Sequence, residues 1–91
     1  MKKMEPPDIL YYGTDPDVVP KIFEEGLKPM SMQYIHLSLD IKTAKISGTE
    51  KCKFPALLVI NALRAYKEGI NFYLDDRNIW MSDYIPSKYI M

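Results

Sequence analysis

His36, the one histidine of this chain, lies inside a short apolar run, Tyr34-Ile35-His36-Leu37-Ser38. Either of its ring nitrogens can take part in a hydrogen bond, and Ser38 adds a hydroxyl close by. About two dozen residues earlier stands a second compact signal, Leu10-Tyr11-Tyr12-Gly13-Thr14. Gly13 there follows a strand and precedes a helix cap, and a residue without a Cβ lets a ligand come close to the backbone. Tyr73 offers a flat face on which a planar ring can stack. Each residue also has a plainer reading. A strand histidine is often a hydrogen-bonded core residue, and a turn is reason enough for Gly13. Tyr73 and Trp80 can simply pack, and packing is the preferred reading for Trp80.

Other chemistries find little support. One histidine and one cysteine make no metal site. No glycine-rich phosphate loop is present. A Cys52–His36 nucleophile pair is conceivable, but Cys52 stands in a lysine-rich loop with nothing else to recommend it. Asp75-Asp76 reads as a solvated turn, and Arg64 and Lys67 as the surface face of a short helix.

The elements that must carry these residues follow from pattern. A chain of 91 residues makes one small domain with a thin core. Twelve basic and twelve acidic side chains cancel, which argues against a general nucleic-acid binder. The lone cysteine rules out an internal disulfide and fits a reducing compartment. No apolar run approaches the roughly 20 residues that span a bilayer, and Met1 to Pro7 lacks the apolar core of a signal peptide. The expectation is a cytoplasmic protein with no membrane and no metal partner.

Residues 1–8 read as an arm and residues 9–91 as a single domain. Strands are expected at Ile9 to Tyr12, Tyr34 to Leu37, Asn71 to Leu74 and Ile79 to Met81. The continuous run Ala56 to Ile60 reads as a central buried strand. Thr14 and Asp15 offer caps for a helix whose apolar face is Val18, Val19, Ile22 and Phe23, closed by Gly26. Ser38 to Asp40 cap a second helix, Ile41 to Ser47, ended by Gly48. A third runs from Ala62 to Glu68 and stops at Gly69. The sum is an α+β fold, with antiparallel-rich sheets and two or three short helices.

Five blocks in order resemble the RNA 2′-phosphotransferases of the KptA type, a branch of the ADP-ribosyltransferase fold. Leu10-Tyr11-Tyr12-Gly13-Thr14 is similar to that family's Leu-Tyr-His-Gly-Thr, and Glu25-Gly26-Leu27-Lys28-Pro29-Met30 to its glycine-leucine block. Tyr34-Ile35-His36-Leu37-Ser38 is similar to its His-Val-His-Leu-Ser. Leu58-Val59-Ile60-Asn61-Ala62 resembles its apolar strand ending in Asp-Ala. Gly69-Ile70-Asn71-Phe72-Tyr73 and Asn78-Ile79-Trp80-Met81 resemble its closing pair. The resemblance implies a nucleotide cleft that takes NAD or ADP-ribose, lined by Tyr12, Gly13, Thr14, His36, Ser38 and Tyr73, with the backbone at Gly13 holding the nicotinamide amide. An RNA or a protein is the implied acceptor.

The departures bear on activity. Where the family carries histidine, this chain has Tyr12 and Tyr34, and the phosphate-gripping arginine falls on Met32. The arginine-bearing loop is Thr49-Glu50-Lys51, and the strand-end aspartate is Asn61. About eight residues precede the first strand, so the expectation is that the family's N-terminal lobe with its Arg-His pair has no counterpart in these 91 residues. A phosphotransferase concentrates negative charge, and arginine forks are the usual clamp. Lys51, Lys53 or Arg64 could supply charge, but none is in a matching position. Two functions stay open: an ADP-ribose-transferring enzyme, and a catalytically degenerate nucleotide-binding or protein-interaction module.

Overall fold

The computed structural model describes residues 2–29 and 33–91. Among the described residues six strands form two antiparallel sheets, with three short α-helices against them. The four-stranded sheet runs β1 (Lys2–Lys3), β5 (Phe72–Leu74), β6 (Trp80–Ser82), β3 (Ile35–Leu37). The two-stranded sheet pairs β2 (Leu10–Thr14) with β4 (Ala56–Ile60). Lys2–Lys3, within the stretch read as an arm, pair with Leu74 and Tyr73.

The four-stranded sheet sorts its side chains by register. Ile35, Phe72 and Ser82 lie in one row, and Leu37, Leu74 and Trp80 in the next. All six share a face, because directly opposed residues point the same way. Ile35, Leu37, Phe72 and Trp80 pack into the core with Leu10, Leu58 and Ile60 from the other sheet. The opposite face carries His36, Met81 and Tyr73 in a single row. Trp80 is thus a core residue, as its preferred reading had it.

Ala56–Ile60 is flanked on both sides, by β2 and by Met91, which exchanges two backbone hydrogen bonds with Val59. Its burial alternates: Leu58 and Ile60 are in the core, while Leu57 and Val59 are half-buried. On either side of Pro86, single bridges replace a ladder, at Leu27 with Ile85 before it and at Ile60 with Ile90 after it.

The helices begin where the caps predict. Asp15 accepts from the Asp17 N–H and opens a short 3-10 turn that leads into α1 (Val19–Glu25), and Gly26 closes it at φ +87°. That angle is left-handed backbone, open to glycine at little cost. Asp40 caps α2 (Ile41–Thr49), its carboxylate 2.7 Å from the Thr43 N–H. The third helix, α3, spans Ala62–Lys67.

Two expectations need correction. Gly48 does not end α2; it lies inside the helix. Nor is Gly13 a turn residue, since it is the fourth residue of β2 and pairs with Leu57. The same contact explains both. A Cβ on Gly13 would stand 2.1 Å from the Ala44 carbonyl oxygen and 3.1 Å from the Gly48 Cα. One on Gly48 would meet the Pro55 Cβ at 2.6 Å. The two glycines let α2 lie directly on β2, so at Gly13 the Cβ-free face receives a helix rather than a ligand.

Candidate nucleotide-binding cleft

Among the described residues a single backbone bridge joins the two sheets. Tyr11 and Ser38 exchange two backbone hydrogen bonds of 2.9 Å. Beyond it β2 and β3 part, and an open cavity of about 930 Å³ lies at the split. That volume lies within the roughly 300–1,000 Å³ of small-molecule sites.

Tyr12 and Thr14 line the cavity from β2, and Tyr34, Ile35 and His36 from β3. Val18 and Ile22 add an apolar wall from α1 and the turn before it, and Gly26 to Pro29 close one side. Ser47, Glu50 and Lys51 contribute from the end of α2 and the loop after it. Three of the six residues predicted from sequence therefore line the cavity: Tyr12, Thr14 and His36.

Gly13, Ser38 and Tyr73 stand differently. In an antiparallel strand, the N–H and C=O of one residue point to the same side, and successive residues alternate. Tyr11 directs both groups at Ser38, so Gly13 directs its own toward β3, where the ladder has stopped. The Gly13 carbonyl accepts from the Lys51 ammonium at 2.9 Å. Side-chain alternation also places Gly13 and His36 on the same side, since each is two residues from the Tyr11–Ser38 pair. Ser38 is committed to the bridge through its backbone.

Tyr73 does not line the cavity. It packs edge-on against Tyr34, with ring centroids 5.4 Å apart, and donates its hydroxyl to Asp83 at 2.9 Å. That hydrogen bond to a carboxylate raises the Tyr73 phenol above its ordinary value. Tyr34, not Tyr73, is the tyrosine of this pair that lines the cavity.

Lys51 has a role that sequence reasoning did not assign. Its ammonium lies 3.9 Å from the centroid of the Tyr12 ring while it donates to the Gly13 carbonyl. A cation over an aromatic face gains from the ring quadrupole. The contact spans 38 residues in sequence, so no local pattern could have announced it. The charges around the cavity balance, with Lys21, Lys28 and Lys51 against Asp15, Glu25 and Glu50. Among the described residues no arginine lines it. Met32, the expected arginine position, lies outside the described residues. Cys52 does not line the cavity with His36, and among the described residues no cluster of ligands could hold a metal ion. Among the described residues no helix is long and apolar enough to cross a membrane.

Residues 1–84 match the model of the family described as RNA 2′-phosphotransferase, Tpt1 / KptA. The chain belongs to the Tpt1/KptA family. A probable RNA 2′-phosphotransferase of Acetivibrio thermocellus is 49% identical over 85 residues, which is 93% of this chain and 47% of that protein. One from Bacillus thuringiensis subsp. konkukian is 47% identical over 85 residues, 93% of this chain and 46% of that protein. A third, from Fusobacterium nucleatum, is 41% identical over 90 residues, 99% of this chain and half of its own length. The chain thus spans about half the length of the Tpt1/KptA relatives it matches.

Proposed function

We propose that residues 9–91 form the nucleotide-binding domain of an RNA 2′-phosphotransferase-type protein, with residues 1–8 as an arm, and that the cleft takes NAD or ADP-ribose. The observation that carries this is the convergence of Tyr12, Thr14 and His36, from two different sheets, on one cavity at the split toward which the Gly13 peptide edge is turned. The cavity fits the chemistry of a dinucleotide. Gly13 presents an N–H and a C=O side by side, the complement of a carboxamide. Tyr34 and Tyr12 bring aromatic faces for planar rings. His36 and Thr14 bring hydrogen-bonding groups for ribose hydroxyls, and Lys51 and Lys21 bring positive charge for a diphosphate.

NAD is the substrate from which such a domain would transfer ADP-ribose, with an RNA 2′-phosphate or a protein side chain as acceptor. A second reading is nucleotide binding without turnover. It is favoured by the balanced charge of the cleft, where three carboxylates offset three lysines and no arginine stands among the described lining residues. An ADP-ribosyltransferase-like fold is part of this proposal, and the split between β2 and β3 supports it.

Calorimetric titration with NAD, ADP-ribose and nicotinamide tests the reading. Binding is expected for the wild-type chain and weaker binding for His36→Ala. No heat at millimolar NAD and ADP-ribose would overturn it.

A further inference from the structure

We infer that Lys51 is the internal occupant of the carboxamide subsite, and that a carboxamide ligand must displace its ammonium from the Gly13 carbonyl. This rests on the nucleotide reading above and names the residue that sets the affinity of one part of the ligand.

The argument starts from the backbone. Past the Tyr11–Ser38 bridge, Gly13 is the first residue of β2 whose N–H and C=O face the split without a strand opposite. A buried or half-buried carbonyl needs a partner. Ser38 gives one to Tyr11, and Lys51 gives one to Gly13. The ammonium is held there twice, by that hydrogen bond and by the Tyr12 ring beneath it. The nearest other lysine in sequence, Lys53, is placed over the Phe54 ring instead, on a residue that is 76% exposed.

A primary carboxamide offers an N–H donor to a carbonyl and an oxygen acceptor to an N–H. At Gly13 it would use the position that Lys51 fills. Ammonium and amide donor therefore compete for one acceptor. When the amide wins, the flexible lysine stem leaves the ammonium over Tyr12 and free to turn toward the anionic part of the same ligand. Lys51 would thus oppose nicotinamide and favour a diphosphate, so that the cleft discriminates a whole dinucleotide from its neutral fragment.

The test is titration of nicotinamide and of ADP-ribose into wild type, Lys51→Met, Lys51→Gln and Lys53→Met, with thermal unfolding of each as a check on folding. Lys53→Met removes the same charge without touching Gly13. Lys51→Met and Lys51→Gln are expected to bind nicotinamide roughly tenfold more tightly than wild type, about one lost competing hydrogen bond. ADP-ribose, which lacks the carboxamide, should bind these variants no more tightly than wild type. In wild type, nicotinamide should shift the carbon resonance of the Gly13 carbonyl and the ammonium signal of Lys51 together, a readout that needs no variant. Nicotinamide affinity unchanged or lowered in the folded Lys51 variants would overturn the inference while leaving the nucleotide reading standing if ADP-ribose still binds. Failure of every protein to bind either compound would overturn both.

Discussion

Gly13 and Gly48 face each other across the contact between β2 and α2, with backbone so close that a Cβ on Gly13 would stand 3.1 Å from the Gly48 Cα. The Ala44 carbonyl is closer still, at 2.1 Å. Both obstacles are backbone and cannot rotate away. Gly13→Ala should therefore push α2 off the sheet and destabilise the chain by about 1–3 kcal/mol, the usual range for overpacking. Urea unfolding measures this directly, and a Gly13→Ala protein as stable as wild type would mean that α2 is not seated as described.

His36 and Trp80 should fail in opposite ways when truncated. Trp80 is 8% exposed and packs into the core, so Trp80→Ala should cost about 3–5 kcal/mol of stability. His36 is half-buried on the opposite face, at the cavity. His36→Ala should leave the unfolding midpoint nearly unchanged and weaken NAD or ADP-ribose binding by about 1–2 kcal/mol, the worth of one ribose hydrogen bond. Paired denaturation and calorimetry on the two variants separate the roles. Loss of stability without loss of affinity at His36 would make it a packing residue.

Much of this was legible beforehand, and the gaps have physical causes. The strand positions followed from short β-branched and aromatic runs, and Asp15, Asp40 and Gly26 marked helix ends through local backbone chemistry. Gly48 misled because a glycine after a helical pattern usually stops the helix, whereas here it admits Gly13 from 35 positions earlier. Tyr34 and Lys51 escaped for the same reason. Their neighbours in the cleft are far away in sequence, and nothing in a lysine-rich loop says which lysine will find an aromatic ring. Tyr73 looked like a stacking platform by type, but the register places it two strands away from the cleft edge, where Asp83 holds its hydroxyl.

Stability should fall in acid through three carboxylates. The Tyr89 hydroxyl, and then Arg64, hold Glu68 below its ordinary value. The Thr43 N–H does the same for Asp40, and the Ile79 N–H for Asp75. A carboxylate with a lowered folded-state pKa stabilises above its unfolded pKa and loses that contribution as pH falls through the folded value. The loss should appear between about pH 5 and pH 2. Thermal melts across that window should show it, and Glu68→Gln should flatten part of the slope. An unfolding midpoint independent of pH there would contradict these assignments.

The 91-residue chain on its own should not remove a 2′-phosphate from RNA at a useful rate. The lining of its cleft carries no net positive charge among the described residues, and a transferring phosphoryl group calls for arginine-like clamps. The assay is release of nicotinamide and of a cyclic phosphate of ADP-ribose, with a 2′-phosphorylated oligonucleotide as acceptor. Robust release by this chain would show that its lysines suffice. Nicotinamide release without RNA would point instead to water or a protein as acceptor.

The Tyr11–Ser38 bridge acts as the spine of a book whose covers are the two sheets. Its two hydrogen bonds are the backbone link between the covers, and the core shared by Ile35, Leu37, Phe72 and Trp80 with Leu10, Leu58 and Ile60 holds the covers together behind it. Neither sheet has to lose an internal bond for the pages to part. Admission of a bulky guest by a change of angle would therefore work against that core as well as this residue pair, and the exchange rates of the Tyr11 and Ser38 amides would clock how often the book opens.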